Sequence, residues 1–187
     1  PGRKDPPRAP RHRAGNAGGR DFADSARARR ASLIRAWRID KANRSRADSF
    51  SGEGARLVAG RWNSKGQVVV YAASSLSLAA LEKFVHLGAD SAGIRFVSYA
   101  IEIPAAVKMA EWKLSDMPED WRAQPAQIST QHMGDAWIRG LHSAVLIVPS
   151  VVTPSESNLL LNPAHPQFPK IKISTPQAYS LDPRMWK

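Results

Sequence analysis

Three side chains of different chemistry, Arg61, Tyr71 and Glu82, occupy the junctions of a predicted loop, strand and helix. The β-branched run over 68–70 favours a buried strand, which Tyr71 closes. Serines at 74, 75 and 77 offer N-caps for a helix predicted over 76–87, with Glu82 inside it. A guanidinium, a phenol and a carboxylate are therefore expected at one strand–helix corner. A guanidinium can bind an anion bidentately beside that carboxylate.

The same residue types also have purely structural explanations. Arg61 could be a surface ion-pair partner, and Tyr71 a half-buried aromatic of a strand. Glu82 could be a solvated helix residue that pairs with His86 four positions later. Composition does not separate these explanations from a functional site.

Longer motifs around these residues occur in a fixed order. They are AWRI (36–39), SGEGARLVAGRWNSKG (51–66), VVYAASSLSLAALEKFVHL (69–87), SAVLIVPSVV (143–152), ESNLLLNPAHP (156–166) and SLDPR (180–184). Together they resemble the RES-domain family, bacterial toxins of toxin–antitoxin pairs. The resemblance spans about residues 31–187, and the combined motif set is specific although no single motif is.

The resemblance implies an ADP-ribosyltransferase-like α+β fold, with a mixed central β-sheet flanked by helices. It also implies NAD+ as the substrate, and no metal is expected because the chain has no cysteine and its histidines lack ligand spacing. Five residues of this chain match the polar active-site positions of the family: Arg38, Arg61, Tyr71, Glu82 and Ser150. The SGEG motif at 51–54 and Asn158 fit the family pattern too, without an assigned role.

Cleavage of the nicotinamide–ribose bond of NAD+ explains why these residue types are needed. An oxocarbenium-like charge develops on the ribose, and we expect the carboxylate of Glu82 to stabilise it. Arg61 and Arg38 are expected to bind the pyrophosphate, and Tyr71 to offer the nicotinamide a flat face and an orienting hydroxyl. Ser150 would either position Glu82 or bind the ribose or the carboxamide.

The acceptor of the ADP-ribose is left open by the residues. Arginine-modifying transferases often carry a second Glu two positions before the catalytic one, and Ala80 occupies that position here. Water, phosphate and other protein side chains remain as acceptors. The leading hypothesis is a toxin of a type II pair that depletes NAD+, and the alternative is a mono-ADP-ribosyltransferase that modifies one cellular protein. A third hypothesis is a basic nucleic-acid-binding module.

The resemblance also predicts the partner, an Xre-like antitoxin that covers the active site. Contact with DNA would then be indirect, through that antitoxin. We expect a cytoplasmic protein without membrane contact, since the chain has no cysteine, no apolar run of membrane-spanning length and no signal peptide. The histidines lack the spacing of zinc ligands.

The basic charge of the chain is concentrated at its start. Residues 1–30 contain nine Lys/Arg and three Asp, in a chain with a net charge of +11. That segment has no hydrophobic periodicity, so we predict a flexible basic arm over 1–30 and a RES domain over 31–187.

The remaining elements are placed by pattern alone. Strands are predicted over 33–39, 94–103, 144–148 and 170–174, and a polar loop over 41–60. A helix should run from Ser129 or Thr130 to Gly140, after a peripheral segment over 105–128. Gly88 is the expected end of the helix that carries Glu82.

Overall fold

The computed structural model describes Gly2, residues 33–87 and residues 93–186. The arm predicted over 1–30 lies almost entirely outside these residues, as does Gly88. The division into an arm and a domain therefore stays a prediction.

Eight strands and four α-helices form the described part of the chain. The strands are β1 (Ile34–Lys41), β2 (Val70–Ala73), β3 (Phe96–Ile103), β4 (Met109–Glu111), β5 (Val145–Pro149), β6 (Ser157–Leu161), β7 (Lys172–Ile173) and β8 (Gln177–Tyr179). The helices are α1 (Arg46–Ser49), α2 (Glu53–Leu57), α3 (Leu76–Val85) and α4 (Ile128–Gly140). Short 3-10 turns occupy Leu114–Asp116, Phe168–Lys170 and Pro183–Trp186.

All eight strands belong to one sheet. Its order is β4-β5-β6-β2-β1-β3-β7, and β8 also pairs with β3. The pairs are antiparallel except β4 with β5, which is parallel. The predicted α+β class with a mixed central sheet is confirmed.

Alternate strand residues supply the two faces of the sheet, as the pleat requires. In β6, Leu159 and Leu161 pack into one buried cluster. Leu160 packs into another, with Trp137 of α4 and Leu146 of β5. The apolar face of α3, including Leu78, packs in a third cluster with Ile39 of β1. Helices α3 and α4 are thus fixed to the sheet by separate parts of the core.

Strands β1 and β2 have the fewest paired residues among the neighbouring strands in the centre of the sheet. The two strands are in register at one pair, Trp37 opposite Ala73, whereas β1 and β3 pair from Ile34 to Lys41. Beyond that pair, the side chain of Arg38 donates from Nη1 to the carbonyl oxygen of Tyr71 at 2.7 Å. This bond connects the two strands where backbone pairing has ended.

Several predicted boundaries were wrong. The strand predicted over 68–70 begins only at Val70, so Tyr71 lies inside β2 rather than at its end. The predicted polar loop over 41–60 contains α1 and α2. Helix α4 begins after Gln127, earlier than predicted and without a side-chain cap, whereas it ends at Gly140 as predicted, and Leu141 follows with a φ of 48°. Strands β4, β6 and β8 were not predicted.

Candidate active site

A cavity of about 590 Å³ opens at the short seam between β1 and β2. Residues 37–39 of β1 and 71–73 of β2 line it, together with residues of α3 and of the loops around 58–63 and 124–126. Four of the five predicted site residues, Arg38, Arg61, Tyr71 and Glu82, are in its wall. Ser150 is fully buried behind them.

Glu82 reaches the cavity from α3, whose start is fixed by a predicted cap. Ser75 Oγ accepts a hydrogen bond from the backbone N–H of Leu78 at 3.0 Å and donates to Glu156. Glu82 then projects from the helix about 1.7 turns after its first residue, Leu76. Its Oε1 accepts from Ser150 Oγ at 2.9 Å and from Asn158 Nδ2 at 2.6 Å. The alternative pairing of Glu82 with His86 is not found between these two described residues.

The second oxygen of that carboxylate has no such partner. Within the described ranges, no side chain or backbone group donates a hydrogen bond to Oε2 of Glu82. The described residues therefore hold one oxygen of this carboxylate and not the other.

The hydroxyl of Ser150 is fully committed. Its oxygen accepts from the backbone N–H groups of Val152 and Thr153, each at 3.1 Å, and its proton is donated to Glu82. A hydroxyl has one proton to donate and two lone pairs to accept with, so this set uses all of them. Of the two roles considered for Ser150, the contact found is the one that positions Glu82.

Tyr71 has its hydroxyl fixed in a similar way. The oxygen donates to Asn63 Oδ1 at 2.8 Å and accepts from the N–H of Trp62 at 3.1 Å. Burial raises the pKa of Tyr71 far above its ordinary value, so the phenol stays protonated at neutral pH. The hydroxyl is therefore already bonded within the protein, and the residue lines the cavity.

A glycine allows this close packing. A Cβ on Gly60 would lie 2.7 Å from both the Tyr71 hydroxyl and Asn63 Oδ1. The adjoining segment is also fixed to α4, because the N–H of Ser64 donates to Asp135 at 2.9 Å. Arg61 is thus carried by a rigid turn.

Arg61 is divided between the protein and the cavity. Its Nη1 donates to the carbonyl oxygens of Trp121 and, at 3.1 Å, Ala123. Burial lowers the pKa of Arg61, and the nearby Glu82 and Tyr71 partly oppose this. The side chain fixes the 121–123 segment, and its Nη2 and Nε groups make no hydrogen bond with another described residue.

Arg38 presents less of its guanidinium than the sequence suggested. Nη1 donates to the Tyr71 carbonyl, and Nη2 donates to Asp40 at 3.0 Å. Its Nε is buried and has no hydrogen-bond partner among the residues that the structure describes. Burial lowers the pKa of Arg38, and Asp40 opposes this. Arg38 joins β1 to β2 at the seam, so its predicted role as a bidentate phosphate ligand stays a prediction.

Sequence reasoning missed a second group of cavity residues. Lys83, adjacent to Glu82 on α3, and Arg44, after β1, also line the cavity. Asn158 had been noted without a role, and it contacts Glu82 across 76 positions of sequence. Lys83 could have been predicted, because it is adjacent to Glu82 on a helix that packs against the sheet. No signal in the sequence pointed to Arg44.

Two absences apply to the described residues only. Among them, no cluster of three or more His, Cys, Asp or Glu could hold a metal ion. Over residues 33–87 and 93–186, no helix has the length and apolar character needed to cross a membrane.

Comparison with known proteins gives one family. The RES domain family profile matches residues 35–182. The chain is 40% identical over 153 residues to the Prs ADP-ribosylating toxin of Sphingobium sp. (strain YBL2), covering 80% of this chain and 94% of that protein. It is 40% identical over 140 residues to Toxin Res of Yersinia enterocolitica, covering 74% and 91% respectively.

A solved structure has the same fold. The crystal structure of the M. tuberculosis MbcT-MbcA toxin–antitoxin complex contains a chain that matches with a TM-score of 0.64. The match covers 83% of this chain and 88% of that chain at 19% identity, so it shows similarity of fold alone.

Proposed function

Because the chain belongs to the RES domain family, we propose that it is a toxin of a toxin–antitoxin pair that cleaves the nicotinamide–ribose bond of NAD+. The observation that carries this proposal is the asymmetry of Glu82. Its Oε1 is held by Ser150 and Asn158, and its Oε2 has no partner among the described residues and belongs to a cavity-lining side chain.

An oriented carboxylate suits this reaction because positive charge appears on the ribose as nicotinamide leaves. At about 4 Å and an effective dielectric constant of about 20, the attraction is about 4 kcal/mol. That corresponds to about a thousandfold in rate. Since Ser150 and Asn158 already fix the carboxylate, little reorganisation is needed when the charge develops.

The cavity has the size and charge for a dinucleotide. Its volume of about 590 Å³ is within the usual range for small-molecule sites. Four cationic side chains line it, Arg38, Arg44, Arg61 and Lys83, against the two carboxylates Asp48 and Glu82. This excess of positive charge favours the anionic pyrophosphate of NAD+.

Arg61 and Tyr71 take complementary parts in the proposed complex. Arg61 retains N–H groups for a phosphate oxygen while its Nη1 stays bonded to the 121–123 segment. Tyr71 offers the face of its ring to the nicotinamide, because its hydroxyl is already bonded to Asn63 and Trp62. Neither residue transfers a proton in this mechanism.

Two fates of the ADP-ribose are consistent with the site. Transfer to water or phosphate would deplete NAD+, and we favour it because no second carboxylate precedes Glu82 at Ala80. The alternative is modification of a cellular protein, which the name of the Sphingobium relative as an ADP-ribosylating toxin supports.

The proposal includes an antitoxin of the Xre type that covers the cavity. Exposed apolar side chains stand at the cavity, with Val58 69% and Val85 55% exposed, and a partner would bury them. The related fold in the MbcT-MbcA complex is that of a toxin bound to its antitoxin, which supports the same arrangement here. Any contact with DNA would be made by the antitoxin.

The test is incubation of the antitoxin-free chain with NAD+, followed by mass analysis of the products. We expect nicotinamide in every reaction, with free ADP-ribose in buffer or phosphorylated ADP-ribose when phosphate is added. A labelled protein band that appears only with cell extract would select the protein-modifying alternative. Absence of nicotinamide from the folded chain under all three conditions would refute the proposed reaction.

A further inference from the structure

We propose that Lys83, flanked by Arg44, forms a phosphate-binding subsite beside Glu82 in the cavity. This subsite adds a residue to the proposed function, and the identity of its phosphate-bearing ligand rests on that function. It replaces Arg38 as the main cationic donor on the β1 side of the cavity.

Lys83 is a cation without a partner of its own. Its side chain lines the cavity, and its ammonium group makes no hydrogen bond or ion pair within the part of the chain that the structure describes. The nearby carboxylate, Asp40, is already engaged, since Arg38 Nη2 lies 3.0 Å from its Oδ2. Arg44 Nη1 approaches the same oxygen at 3.9 Å. Three cations thus surround one carboxylate.

The side chains around Asp40 carry an excess of positive charge. The only carboxylate in this group is Asp40, 3% exposed, while Arg38, Arg44 and Lys83 all face the cavity. Burial lowers the pKa of Lys83, and Arg38, Lys41 and Arg44 lower it further against the attraction of Asp40. An anion in the cavity would relieve both the burial cost and the repulsion.

Phosphate is the anion that these donors suit. An ammonium group is a compact charge with three rotatable donors, and it binds tetrahedral phosphate oxygens well. Arg44 adds a guanidinium, whose side chain is 34% exposed and lines the same cavity. Lys83 and Glu82 line the same cavity, so a phosphate bound by Lys83 would belong to the same ligand as the ribose that Glu82 would contact.

Two sources of this phosphate are chemically equivalent at the subsite. One is the pyrophosphate of the dinucleotide, and the other is inorganic phosphate that attacks the ribose as the acceptor. Binding measurements separate them because adenosine, ADP-ribose and inorganic phosphate can be offered singly.

The experiment is calorimetric titration of the full chain with each of these three probes. Lys83→Gln is expected to weaken the binding of ADP-ribose about tenfold, about 1.4 kcal/mol, and to leave the affinity for adenosine unchanged. Lys83→Arg should restore most of the affinity, since the charge returns. Arg44→Gln should weaken binding in the same direction by a smaller factor, about threefold. Lys108→Gln removes the same charge from an exposed lysine outside the cavity and should change nothing.

The outcomes are decisive in each direction. Weaker binding of ADP-ribose supports the pyrophosphate as the source. Weaker binding of inorganic phosphate alone supports the acceptor as the source. Unchanged affinity of Lys83→Gln for both probes overturns the subsite, as does equal weakening of adenosine. Unchanged affinity of Arg44→Gln removes Arg44 from it. Failure of the wild-type chain to release nicotinamide would refute the proposed reaction alone, because these affinities are measured without turnover.

Discussion

Removal of the two hydrogen bonds to Glu82 should lower the rate of NAD+ cleavage without weakening substrate binding much. Asn158 in β6 and Ser150, directly after β5, both donate to Oε1, at 2.6 and 2.9 Å. The Oε2 atom that faces the substrate in our mechanism is oriented only through this pair. A carboxylate that rotates freely would lose the alignment that the transition state requires.

The expected magnitude follows from bonds to a charged acceptor. Each is worth about 1.5 to 3 kcal/mol, so Asn158→Ala should lower kcat about tenfold to a hundredfold. Since both bonds fix the same oxygen, the Asn158→Ala and Ser150→Ala effects should combine to less than their sum. Ser150→Ala should also cost about 1 to 2 kcal/mol of stability, because the N–H groups of Val152 and Thr153 lose their acceptor.

The assay is steady-state release of nicotinamide, with kcat and KM determined separately. KM should stay within about threefold, because the interaction lost is stronger in the transition state than in the ground state. Ser115→Ala and Asn43→Ala are matched controls at exposed positions outside the cavity. Thermal unfolding of every variant separates loss of fold from loss of rate.

Asn158→Asp distinguishes positioning from packing. The substitution nearly preserves volume but replaces the donor with a second carboxylate beside Glu82, so kcat should fall further than in Asn158→Ala. If Asn158→Asp were more active than Asn158→Ala, Asn158 would serve packing only. If Asn158→Ala kept wild-type kcat, the positioning of Glu82 by this pair would be refuted.

Three further predictions concern stability. Since the folded pKa of Lys83 is lowered, the unfolded chain binds more protons between that value and about 10.4, so wild-type stability gains a contribution as pH rises through this window. Lys83→Gln should lack that contribution and be more stable than wild type at pH 7. Thermal unfolding of both proteins from pH 7 to 11 measures the contribution as their difference, because the titration of Tyr71 affects both equally. Gly60→Ala should cost about 1 to 3 kcal/mol by forcing a Cβ against Tyr71 and Asn63, whereas Gly54→Ala, with its nearest neighbour at 3.7 Å, should cost nothing; equal midpoints in urea would contradict the packing at Gly60. Arg38→Gln should cost about 3 kcal/mol, because Asp40 stays buried without its charge partner; a smaller loss than that of Arg44→Gln in denaturant unfolding would contradict the bridging role of Arg38.

Local signals in the sequence predicted the elements that local contacts determine. The cap of α3 by Ser75 was among the serines identified, because a cap involves only neighbouring residues. The four- and five-residue helices α1 and α2 are shorter than the window over which periodicity can be recognised. The two- and three-residue strands β7 and β8 exist because β3 offers them an edge.

The boundaries of β2 show why some strands were misplaced. Its first residue, Val70, is the one that lies opposite Leu161 of β6, and β6 itself was hidden in a Pro- and Asn-rich stretch. The partner strand, rather than the β-branched run over 68–70, sets where β2 begins. Such pairing is non-local and leaves no trace in the strand's own sequence.

The site was located by family resemblance and detailed only by the structure. The resemblance brought Arg38, Arg61, Tyr71, Glu82 and Ser150 into one list, and four of them line one cavity. It did not reveal that the hydroxyls of Ser150 and Tyr71 are fully bonded within the protein. It also did not reveal Lys83, because the charge excess around Asp40 depends on residues that meet only in the fold.

The most direct measurement is the rate of nicotinamide release from NAD+ by Glu82→Gln beside the wild-type chain. The substitution keeps the shape of the side chain and removes its charge, so kcat should fall about a thousandfold while thermal unfolding stays close to wild type. A folded Glu82→Gln variant that releases nicotinamide at the wild-type rate would contradict the assignment of this carboxylate and the mechanism built on it.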